Sequence, residues 1–182
     1  MFESIRSIPT QKIVTAFVSC AWVLGLTHAE AAEPPTACAY LSSSMNAQPA
    51  GPVFLPSYPT VPSGPLKDAA FLYDNAVATV ALIACSDVAG ATRIGDAMLA
   101  ALDRDRYWHD GRLRNGYLAG PVGPGPIKLA GWWDSQQNMW VEDRYQVGSD
   151  NGNLAWAILA LLALDQATSD PRYRAGAVRI GT

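Results

Sequence analysis

The sequence predicts an all-α protein built of helical hairpins, and three observations predict it. Two apolar stretches, residues 76–84 and 154–164, are hydrophobic on every face, the pattern of a helix enclosed on all sides. Each leads through a short link to a segment suited to a covering helix, starting near Ala91 and Pro171. In the first of these, Ile94, Ala97, Met98, Ala101 and Leu102 share one face. The unit also repeats: Asp74-Asn75 is echoed by Asp150-Asn151, and Arg93-Ile94-Gly95 by Arg179-Ile180-Gly181.

Taken in order, the chain opens with an address. Arg6 and Lys12 precede an apolar run over residues 13–26, and Ala29-Glu30-Ala31 follows. A charged start, a short apolar stretch and an A-x-A end describe a secretory signal over residues 1–31. The run of about 14 residues is short of the roughly 20 that a membrane span needs. The expected destination is the periplasm or exterior of a bacterium, with no membrane association after processing. Export leaves Cys38 and Cys85, which an oxidising compartment permits to bridge; two buried free thiols are the alternative.

Residues 32–66 carry prolines at 34, 35, 49, 52, 56, 59, 62 and 65. Proline disfavours helix interiors and central strands, so this segment is predicted to be an extended arm. Residues 67–182 form the helical domain. Its first enclosed helix covers residues 71–84, with Asp74 or Asn75 placed to cap its start. In the second unit, Asp170 is the predicted cap of the last helix and Pro171 its first residue. The two hairpins are joined by a long aromatic loop, residues 103–149, with a hairpin turn expected at Asp110-Gly111. A connection of that length without structure of its own is normally functional.

Composition removes several function classes. Thirteen basic against sixteen acidic side chains give a net charge of −3, with no basic footprint for nucleic acid. His109 is the only histidine after residue 31 and no CxxC occurs, so no metal site and no cofactor are expected. No G-x-S-x-G nucleophile elbow is present.

The chemistry is expected at the starts of the enclosed helices and in the loop. Asp74, Asp150 and Asp134 are the candidate catalytic carboxylates. Trp132, Trp133 and Tyr145 are candidate walls for the apolar faces of sugars, with Asn75 and Asn151 as further substrate-binding groups. Trp140, Glu142 and Asp143 add indole and carboxylate within a dozen positions. Acid–base work at a glycosidic oxygen uses such paired carboxylates. Each residue also has a plain structural reading: helix caps for Asp74 and Asp150, core for one of the paired tryptophans, loop solvation for Glu142 and Asp143.

The stretches Tyr73-Asp74-Asn75-Ala76-Val77-Ala78 and Gly148-Ser149-Asp150-Asn151-Gly152-Asn153-Leu154-Ala155-Trp156 resemble the hairpin units of six-hairpin glycosidase-like proteins. The turn Ala167-Thr168-Ser169-Asp170-Pro171 resembles their inter-helix link. That resemblance implies an (α/α)6 toroid acting on carbohydrate, of which two hairpins are the incomplete N-terminal portion. The implied function is an exported, glycoside hydrolase-like enzyme acting on an oligo- or polysaccharide, inactive and self-associating as a fragment. The alternatives are a non-catalytic glycan- or protein-binding helical-repeat module, and a polysaccharide lyase or sugar epimerase.

Overall fold

The computed structural model describes residues 36–182, so the secretory signal and the first residues of the arm lie outside the described residues. Five helices and six short strands follow in chain order. They are α1 (Thr36–Asn46), β1 (Val53–Phe54), β2 (Ala69–Phe71), α2 (Leu72–Ala84), α3 (Val88–Arg104) and β3 (Gly116–Leu118). Then come β4 (Gly120–Pro121), β5 (Gly131–Asp134), β6 (Met139–Glu142), α4 (Asn151–Thr168) and α5 (Pro171–Gly181).

The strands correct the all-α expectation. Three two-stranded antiparallel sheets, β1 with β4, β2 with β3 and β5 with β6, make this a mixed α and β fold and not an incomplete (α/α)6 toroid. Four strands lie inside the segment expected to be an irregular loop. They are two to four residues long, too short for alternation to show, and three of the four are rich in aromatic or apolar side chains that suit a pleated surface. No strands flank Asp110-Gly111; the hairpin turns at residues 135–138, between β5 and β6, with Asn138 left-handed at φ 50°.

The predicted arm is also corrected. Residues 36–46 hold no proline or glycine, and there the chain forms α1. The prolines on either side bound that helix and do not extend through it. The segment is packed on the helical domain: its strand β1 pairs with β4 of the long loop, and Phe54 stacks on Tyr117 with ring centroids 4.6 Å apart. Arg93 on α3 donates to the carbonyl oxygens of Met45 (2.8 Å) and Gly51 (3.0 Å), pinning the segment after α1. Cys38 and Cys85 are bridged, with Cα atoms 5.5 Å apart, which ties α1 to the end of α2. Closing a loop of 47 residues stabilises the fold by about 4 kcal/mol in the chain-entropy picture.

The helices pack as α2 against α3, α4 against α5, and α2 against α4. Helix α3 buries Ile94, Ala97, Met98, Ala101 and Leu102, one continuous face. Gly95 lets it approach α4 and α5; a Cβ there would overlap Leu164 and crowd Tyr173. Asp170 caps α5 by accepting from Arg172 N–H at 3.0 Å, with Pro171 in the first turn. The expectation that α4 is enclosed on all sides fails on one flank, where Trp156, Leu159 and Leu162 are exposed. Among the described residues no helix is long and apolar enough to cross a membrane.

Candidate functional site

Gly131 faces Glu142 and Trp133 faces Trp140 across the β5–β6 ladder, so Trp133, Trp140 and Glu142 project from one face of this hairpin. Trp132 and Val141 form the intervening pair and project from the other. The register separates the two adjacent tryptophans, and only Trp133 lines the cleft on this face. The absence of a side chain at Gly131 admits the Trp140 indole, whose Nε1–H donates to the Leu129 carbonyl at 3.1 Å. Trp140 is thereby held as a fixed wall, while Trp133 is 58% exposed.

These side chains line a cleft of ≈530 Å³, together with Arg106, Lys128 and Leu118. Arg106 pairs with the Glu142 carboxylate, and its guanidinium lies 5.4 Å from the centre of the Tyr107 ring. The cleft thus combines an open indole face, a fixed indole edge, one carboxylate and two cations. Arg106 and Lys128 are not evident from the sequence: Arg106 meets Glu142 across 36 positions, and neither sits in a motif.

The expected catalytic carboxylates do not come together in this cleft or in the one that Asp74 lines. Asp134 lies at the hairpin turn, accepting from the N–H groups of Gln136 (2.8 Å) and Gln137 (3.1 Å). These backbone bonds hold its carboxyl below the ordinary carboxylate value. That is the wrong direction for a general acid and the ordinary behaviour of a turn residue. Asp150 stands at the N-cap position of α4 without making a cap bond; it accepts from Asn115 Nδ2 at 2.7 Å instead. Asp74 is the third residue of α2, not its cap, and lines a different cleft of ≈370 Å³. Neither of these two clefts includes Asp134 or Asp150.

The amides also divide. Asn75 is 1% exposed. Its Oδ1 accepts from Leu55 N–H (2.8 Å), and its Nδ2 donates to the carbonyls of Leu55 (3.0 Å) and Phe71 (3.0 Å). It therefore clamps the backbone after β1 and has no group left for substrate. Asn151 is exposed in the first turn of α4, and Tyr145 is 92% exposed outside both clefts. The residue that joins the starts of the two inner helices is Asn115. Its carbonyl accepts from Leu72 N–H (2.8 Å), the first residue of α2. Its side chain bonds Asp150 N–H (2.9 Å) and Asn153 Nδ2 (2.8 Å) at the start of α4. Tyr73 and Trp156 meet edge to face beside this junction, 5.5 Å between centroids.

Among the described residues no group of three or more His, Cys, Asp or Glu is placed to hold a metal ion. Comparison of the chain with protein-family models, with curated proteins and with solved structures finds no match.

Proposed function

We propose that this is an exported glycan-binding protein whose sugar site is the cleft on the β5–β6 hairpin. One observation carries the reading: Trp133 offers an open indole face at the wall of a cleft that also holds Glu142, Arg106 and Lys128. A pyranose presents an apolar C–H face and a rim of hydroxyls. The first suits an aromatic wall, and the second suits charged groups that donate and accept. The leader-like residues 1–31 and the Cys38–Cys85 bridge support export, because such bridges persist in oxidising compartments.

The reading is of binding, not cleavage. Glycoside hydrolysis needs two carboxyl groups about 5–10 Å apart across one glycosidic oxygen. Glu142 is the one carboxylate among the residues lining this cleft, and it is already paired with Arg106.

Affinity electrophoresis against a panel of soluble polysaccharides, followed by calorimetry with oligosaccharides of the best one, tests the proposal. Trp133→Ala is expected to weaken binding about tenfold or more, equivalent to about 1.4 kcal/mol. Trp132→Ala, on the opposite face, is expected to leave binding unchanged. No new reducing ends are expected in either case. Equal affinity for Trp133→Ala and the parent chain would remove this cleft as the site.

A further inference from the structure

We propose that the cleft between α1 and α2 is a separate binding site for a small organic cation, an amine carrying an apolar body, held by Asp74. The cleft has a volume of ≈370 Å³, within the range of small-molecule sites. Twelve residues line it, and Asp74 is the only one of them that carries a charge at neutral pH. Most of the wall is apolar, formed by side chains such as Leu41, Leu55, Pro56 and Ala78. Among the described residues the Asp74 carboxylate accepts no hydrogen bond and joins no ion pair. By contrast, Glu142 is paired with an arginine, Asp150 accepts from an amide, and Asp134 and Asp170 accept from backbone N–H groups.

A single anion beside a greasy hollow selects by charge. A cation with an apolar body satisfies both parts, a neutral ligand only one, and an anion is repelled. Tyr40, 59% exposed, lines the same cleft and supplies an aromatic ring, the usual second partner of an ammonium group.

The walls are fixed in advance, which lowers the ordering lost on binding. The Cys38–Cys85 bridge, two residues from Tyr40 in sequence, fastens α1 to α2. Asn75 locks the Leu55 backbone from both sides. Ser57 Oγ accepts from Phe71 N–H at 2.8 Å and holds the third wall.

The test uses three probes of one shape and different charge: phenethylammonium, 2-phenylethanol and phenylacetate. Titrations of the isotopically labelled chain are followed by amide shifts. Phenethylammonium is expected to bind at least tenfold more tightly than 2-phenylethanol, with shifts clustered around Tyr40, Asp74 and Ala78, and phenylacetate is expected not to bind. Asp74→Asn, an exposed substitution whose fold is checked by circular dichroism, is expected to erase the preference for the cation. Tyr40→Ala is expected to weaken phenethylammonium further, and Trp133→Ala to leave it unchanged, so this site and the glycan cleft fail or stand separately. Equal affinity for the three probes overturns the proposal. So does an unaltered preference in Asp74→Asn, or the absence of phenethylammonium binding at millimolar concentration.

Discussion

Asp105, just after α3, shows what one buried charge does in this molecule. Burial alone would raise its carboxyl, but two bonds from Arg114 (2.6 and 2.8 Å) and two from the N–H groups of Tyr107 and Trp108 outweigh it. The carboxyl is brought down to about 2, against an ordinary 3.8. Arg114 is also stacked on the Trp108 ring, 3.8 Å from its centre, and donates to the Val147 carbonyl at 2.9 Å. A carboxyl held lower in the folded chain than in the unfolded one contributes stability that is complete above pH 4. That contribution, about 2 kcal/mol, is lost as pH falls toward 2. Asp105→Asn is expected to cost about 3–5 kcal/mol at neutral pH, because Arg114 is left buried without its counter-charge. It should also flatten the acid limb of urea-melting stability between pH 4 and pH 2. An unchanged acid limb would place the titrating group elsewhere. Nothing in the sequence marks this pair: Asp105 and Arg114 are nine positions apart in a segment without periodicity, and only the fold brings them together.

At the scale of elements, Asn115 is the junction on which the relation of α2 to α4 rests. Its side chain makes three hydrogen bonds to the start of α4, while its own backbone meets the start of α2. Asn115→Ala is expected to destabilise the fold by about 2–3 kcal/mol, at roughly 1 kcal/mol for each bond lost. Hydrogen exchange should quicken first at residues 151–154, and uniform quickening over all helices would argue against a local joint. The helices themselves are legible in the sequence, because the period of Ile94, Ala97, Met98, Ala101 and Leu102 and the Asp170-Pro171 start are local signals. The strands are not, because β1 and β4 have two residues each and exist only through pairing with a distant segment. Helix α1 is masked for a similar reason, since the prolines around it dominate the composition of the segment. The site follows the same division. Trp133 is legible as an aromatic wall, but the register that turns Trp132 to the opposite face is a property of the ladder.

At the scale of the whole molecule, α4 presents an uncompensated surface. Trp156 (37% exposed), Leu159 (53%) and Leu162 (41%) follow one another at helical spacing, and Tyr73 (44%) continues the patch onto α2. From Asn151 to Leu164 this helix carries no charged side chain, so no like charge opposes the approach of a second copy along it. Burying the exposed half of each leucine is worth about 1 kcal/mol, and two copies would bury at least four such leucines together with Trp156. That falls in the range of a weak, concentration-dependent dimer once the loss of free motion is subtracted. The expected outcome in sedimentation velocity is a monomer at micromolar concentration that gives way to dimer toward millimolar concentration. Leu159→Glu with Leu162→Glu places two carboxylates on the stripe, and in a dimer these would face their copies. This double variant is expected to remain monomeric throughout, with unchanged helix content because both positions are already solvated. A parent chain that stays monomeric at the highest concentration would show that the stripe is too small to hold two copies together. A double variant that still dimerises would move the interface to another surface.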